Sequence, residues 1–118
     1  MQKFRKLEVW KKSMDFISLV YEVSRSYPRS ELFGLTDQIR RAAISIALNI
    51  AEGSGSGGDK EFVRFLQIAL RSLYEVIAAG EIAIRLSYGK VEDQQKIIQK
   101  ADEIGAMLSG LIKYLKKV

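Results

Sequence analysis

Apolar residues recur along the chain at intervals of three and four, and no β-hairpin signal interrupts them. The spacing predicts four helices. The first runs from about Leu7 to Ser26, with Trp10, Met14, Ile17 and Tyr21 at 4-3-4 spacing and Leu7, Val20 and Ser24 beside them. Tyr27-Pro28 ends it, because the residue before a proline is disfavoured in helical geometry. After a turn over residues 29–35, Thr36 is the expected cap of a second helix reaching about Glu52. Ile39, Ala42, Ala43, Ile46, Ile50 and Ala51 make its broad apolar side, and Ile44, Ala47 and Leu48 extend it round the helix. A helix so widely apolar is expected to be buried on more than one side, with a second subunit as the further surface.

Asp59 is the expected cap of the third helix, and Glu61 adds favourable charge to its N-terminal end. Its stripe is Phe62, Phe65, Leu66, Ala69, Leu73, Val76, Ile77 and Ile84, and Tyr88-Gly89 closes it. The fourth helix has the cleanest pattern, with Ile97, Ala101, Ile104, Leu108, Leu111 and Leu115 spaced 4-3-4-3-4. Gly105 and Gly110 interrupt it, each at a cost of about 1 kcal/mol against alanine, and mark either close helix approach or indifferent surface. Helices joined by short loops stack antiparallel, so the expected fold is an all-α, up-down-up-down four-helix bundle forming one domain over residues 1–118.

Composition narrows the chemistry. The chain has no cysteine and no histidine, which removes disulfides, thiolate nucleophiles and the commonest general base and metal ligand. Without histidine a di-iron bundle lacks its Glu-x-x-His pairs, and the histidine-dependent ribonuclease motif of some small helical proteins is excluded as well. Glu52, Glu75 and Glu81 could ligate a metal without histidine, but surface or interface salt bridges account for them better. No enzymatic role, metal or cofactor is expected. Gly53, Gly55 and Gly58 match G-x-G-x-x-G, yet a dinucleotide loop needs a strand before it and a helix precedes this one. A Walker loop fails too, because Asp59 stands where its lysine belongs. The start of the chain is charged, and the longest charge-free stretch near its middle, Ala42 to Ala51, is about half the ~20 residues of a membrane span. A cytoplasmic location without a membrane partner is expected.

The net charge of +5 is uneven: residues 1–29 carry +4, 30–58 carry −1, 59–89 are neutral and 90–118 carry +2. An even number of antiparallel helices brings both ends of the chain together. Lys3, Arg5, Lys6, Lys11 and Lys12 are therefore expected near Lys113, Lys116 and Lys117, with the loop at 53–58 at the same end. In an oligomeric ring such patches would repeat around one rim and attract phosphate. The bland alternative is solvated terminal lysines balanced by Glu8 and Asp15. On the second helix, Asp37, Arg41, Ser45 and Asn49 follow one another at i,i+4. With Arg40 and Glu52 they read as a subunit seam, the alternative being a pore or ligand-contacting line.

These residues resemble a family of four-helix bundle proteins first associated with intervening sequences in bacterial 23S ribosomal RNA genes. The resemblance covers nearly the whole chain. It begins with Leu7-Glu8-Val9-Trp10-Lys11-Lys12, Val20-Tyr21 and Tyr27-Pro28-Arg29-Ser30-Glu31. Its most specific part is Gly34-Leu35-Thr36-Asp37-Gln38-Ile39-Arg40-Arg41-Ala42, with Ser45-Ile46 and Asn49-Ile50-Ala51-Glu52-Gly53. Lys60-Glu61-Phe62, Phe65-Leu66, Ser72-Leu73 and Glu75 continue it. The resemblance implies a bundle assembling as a pentameric ring. It also implies kinship with accessory proteins of diversity-generating retroelements, which bind a reverse transcriptase and nucleic acid. The chain departs from the family where Ser56 and Gly58 replace a loop arginine and serine, and where Arg71 replaces a common glycine. The expected function is a homo-oligomer binding RNA or DNA through its basic rim. The alternative is an interaction scaffold recruiting a partner enzyme, such as a reverse transcriptase, without touching nucleic acid.

Overall fold

Every regular element among residues 2–117, which the computed structural model describes, is helical. A 3-10 turn over Lys3–Lys6 leads into α1 (Glu8–Ser24), and a second over Arg29–Glu31 precedes α2 (Leu35–Ser54). Then follow α3 (Asp59–Arg85) and α4 (Val91–Lys116). At 1.5 Å per residue the 27 residues of α3 extend about 40 Å, most of the molecule's 46 Å long axis.

The core forms where the four apolar stripes meet. Ile39, Ile46 and Ile50 of α2 face Leu66, Leu73 and Val76 of α3, with Ile97 and Leu108 of α4 and Phe16 and Val20 of α1 completing it. Each such side chain contributes about 1.5–3 kcal/mol when withdrawn from water. The α2–α3 seam is the most extensive and the α1–α4 seam the least. The expected α4 stripe is buried from Ile97 to Leu108, while Leu111 and Leu115 are partly covered.

The α1 stripe differs from expectation. Val9, Phe16, Val20 and Val23 are buried with Ser13 among them, while Trp10, Ile17 and Tyr21 lie at the margin and Met14 is 44% exposed. Ser13 tolerates burial because its hydroxyl donates to the Trp10 carbonyl at 2.6 Å, satisfying itself within the helix. A stripe drawn through the largest residues was therefore rotated away from the true one. In α3, Val63 and Ala79 are buried, whereas Phe62, Phe65, Ile77 and Ile84 are only half so.

Neither expected hydroxyl or carboxylate cap forms. Thr36 is buried inside the first turn of α2, and Glu31 Oε1 instead accepts from the Leu35 N–H at 3.0 Å. Asp59 is the first residue of α3, with Gly58 before it and no side-chain cap bond. The end of α3 comes earlier than Tyr88-Gly89. Tyr88 N–H donates to Ala83 O at 2.8 Å and Ser87 N–H to Ile84 O at 3.1 Å, with Ser87 left-handed at φ 59°. This is a Schellman cap in which serine fills the place glycine usually takes.

Gly53 fits against α3: a Cβ there would stand 2.7 Å from Phe65 Cβ and 2.9 Å from Phe62 Cδ1. Gly105 is a close approach as well, 3.0 Å from Leu73 Cδ2, whereas Gly110 faces open space. On α2, Ile44 is half-buried and Leu48 is 58% exposed, so the chain itself does not cover the outer part of that helix. Among the described residues no helix is long and apolar enough to cross a membrane.

Candidate nucleic-acid interface

One end of the molecule gathers the residues that the charge pattern singled out. A groove of about 610 Å³ is lined by Lys3 and Phe4 of the first 3-10 turn, by the glycine loop after α2, and by Leu115 of α4. Because Lys3 and Leu115 share it, the basic start of the chain lies beside the end that carries Lys113, Lys116 and Lys117. Phe4 stacks edge-on against Trp10 at 4.9 Å between ring centres, which fixes the 3-10 turn to α1. Lys3, Arg5 and Lys6 are thereby held outward and exposed. Asp59 also lines the groove and supplies a negative charge. The loop is held by the Ser56 hydroxyl, which donates to the Gly53 carbonyl at 2.7 Å.

The eight basic candidates do not converge on one pocket. Lys113, Lys116 and Lys117 line a second groove with Gln67 and Leu70 of α3. Lys11 is exposed and paired with Glu8 at 3.3 Å, an exposed contact of little energetic weight. Lys12 faces a third groove, between α1 and α4, in the company of Lys96 and Lys100. These last two were not singled out from sequence. Their i,i+4 spacing puts them on one side of α4, but with Glu92, Asp93, Asp102 and Glu103 around them the segment has no net positive charge.

The polar line of α2 is satisfied largely within the chain. Asn49 Nδ2 donates to Ser45 O at 2.8 Å and Ser45 Oγ at 3.1 Å, and the Ser72 hydroxyl donates to Ser45 Oγ at 3.0 Å. Arg40 Nε donates to Ser24 Oγ at 2.8 Å while its guanidinium lies 4.6 Å over the Tyr21 ring. Arg41 and Glu52 are exposed. Asp37 is exposed as well, so of the proposed seam Asp37, Arg41 and Glu52 are open to a neighbour. Among the described residues, no three acidic side chains gather closely enough to hold a metal ion.

The opposite end carries a polar network that sequence did not reveal. The buried Tyr27 hydroxyl donates to Gln94 Oε1 at 2.7 Å, and Gln94 Nε2 donates to the Tyr88 carbonyl at 3.2 Å. The Tyr88 hydroxyl in turn donates to Glu31 Oε2 at 2.9 Å. Burial pushes the Tyr27 phenol up to about 12. The Leu35 N–H and then the Tyr88 hydroxyl hold the Glu31 carboxyl below its ordinary value, and donating that bond to Glu31 raises the Tyr88 phenol. These groups tie the Tyr27–Glu31 connection to the start of α4, a structural clamp that leaves the lysine-bearing end free.

Comparison with known proteins places this arrangement in context. The family model described as 23S rRNA-intervening sequence protein matches residues 5–110. A crystal structure from Bacteroides thetaiotaomicron VPI-5482, of a protein with unknown function from the S23 ribosomal protein family, superposes with a TM-score of 0.82 at 28% identity. The alignment covers 89% of this chain and 95% of that one. A comparison with curated proteins finds no match.

Proposed function

Since the chain belongs to the 23S rRNA-intervening sequence protein family, we propose that it is a non-enzymatic, cytoplasmic homo-oligomer binding structured RNA or DNA through its basic end. The bundle is read as up-down-up-down and its assembly as a pentameric ring. The observation that carries the reading is the groove shared by Lys3 and Leu115, which sets the two most basic parts of the chain side by side. Phosphate attraction is additive over such a patch, and repetition around a ring multiplies it. Assembly draws support from large apolar side chains left in water: Phe33 is 92% exposed and Leu48 on α2 is 58% exposed.

Replacing Lys113, Lys116 and Lys117 together with glutamate tests the reading. All three are exposed, so the fold is expected to survive. Binding to a structured RNA is expected to fall, and the slope of log K against log salt to flatten by about 2–3 as three phosphate contacts go. Unchanged affinity and slope in a folded variant would exclude this end as the nucleic-acid surface.

A further inference from the structure

Between α1 and α4, the pair of helices with the least extensive seam, runs an open trough of about 590 Å³. Phe16 and Ile104 form its floor and are already buried in the core. Leu19 and Met107 are half-buried, so they supply its free apolar surface. Three lysines and two carboxylates rim it: Lys12 and Asp15 on α1, and Lys96, Lys100 and Glu103 on α4. Lys100 and Glu103 pair at 3.4 Å, while the ion pairs among the described residues include neither Lys12 nor Lys96.

We propose that this trough docks an acidic amphipathic helix from a partner protein. The length favours a helix over a small molecule. On α4 the lining extends from Lys96 to Met107, about 16 Å at 1.5 Å per residue, which matches three turns of a docked helix. Each wall brings one half-buried apolar side chain over the floor of Phe16 and Ile104, Leu19 from α1 and Met107 from α4. This suits the i, i+3, i+4 anchors of a helix laid in a groove. Met107 is flexible and polarisable and adapts to such anchors. The charge selects the sign of the partner: with Glu103 engaged by Lys100, Lys12 and Lys96 exceed Asp15 and seek carboxylates on the flanks of the incoming helix.

The probe is a fluorescein-labelled amphipathic peptide of about fourteen residues, roughly 21 Å as a helix, with leucines at i, i+3, i+4 and i+7 and glutamate flanks. A second peptide carries lysine in place of every glutamate. Anisotropy titration of the full chain is expected to show the glutamate peptide binding at least about tenfold tighter than the lysine peptide. Lys96→Glu is expected to weaken it about fivefold and Met107→Asp to weaken it further. Lys96 lies outside the lysines assigned to nucleic acid, so RNA binding by the Lys96→Glu protein is expected to persist. Equal binding of the two peptides, or binding indifferent to both substitutions, would overturn the proposal. So would a protein that binds neither peptide and whose oligomer dissociates on Met107→Asp, because a second copy would then fill the trough.

Discussion

Gly53→Ala probes a close approach of α2 to α3. The new Cβ would lie 2.7 Å from Phe65 Cβ and 2.9 Å from Phe62 Cδ1, against a comfortable carbon–carbon separation of about 3.5–4.0 Å. The Phe62 ring can turn away, but Phe65 Cβ is fixed to the backbone, so the start of α3 must retreat by close to 1 Å. Overpacking of this kind costs about 1–3 kcal/mol. Alanine's better helix propensity returns up to about 1 kcal/mol, less here because Gly53 sits in the last turn. The expected net loss is about 1–2 kcal/mol. Gly110→Ala is the matched control: nothing stands within 4 Å of its Cβ, so only the propensity gain of about 0.5–1 kcal/mol remains. Thermal unfolding followed by far-UV circular dichroism, at one fixed protein concentration, separates the two variants. At about 4 °C per kcal/mol for a domain of this size, Gly53→Ala is expected to melt several degrees below the parent and Gly110→Ala a few degrees above. A Gly53→Ala protein as stable as the parent would refute the argument that this glycine exists for helix contact.

The clamp at the other end is open to substitution as well. Tyr27→Phe removes the donor to Gln94 Oε1 and is expected to cost about 1–3 kcal/mol in urea unfolding. Tyr27 is raised in the folded chain, so its contribution is complete below about 10 and lost as pH climbs towards about 12; the phenylalanine variant should lack that alkaline decline. Glu31 is lowered, so its contribution is present above its ordinary 4.5 and lost as pH falls through its folded value. Glu31→Gln is expected to flatten the acid limb of the stability profile, and an unchanged limb would remove Glu31 from the clamp.

The sequence exposed most where periodicity was unambiguous. In α4 the apolar residues are aliphatic and evenly spaced, and the buried side from Ile97 to Leu108 is the one the spacing marks. In α1 the large residues Trp10, Met14 and Tyr21 drew the stripe towards themselves, although their size and polar edges suit a margin, and a self-satisfied Ser13 takes a core position. The cap of α2 comes from Glu31, reached across the second 3-10 turn, while the nearer Thr36 is buried. Local spacing cannot announce that exchange. Gln94 is harder still: its partner Tyr27 lies 67 residues away, and only the assembled bundle makes a buried glutamine acceptable. The basic ends were legible as charge, and their adjacency followed from counting helices. The placing of Lys3, Lys12 and Lys113 in three separate grooves, with Lys12 turned towards Lys96 and Lys100, depends on helix rotation that charge counting does not contain.

The proposed function requires that the basic end hold nucleic acid in an assembled protein. Titrating the purified chain with structured RNA and with DNA across a salt series, while recording its mass in solution, probes both parts of that requirement. An assembly near five subunits is expected, with log K falling steeply and linearly against log salt. An intact oligomer with no affinity for either nucleic acid at low salt would contradict it.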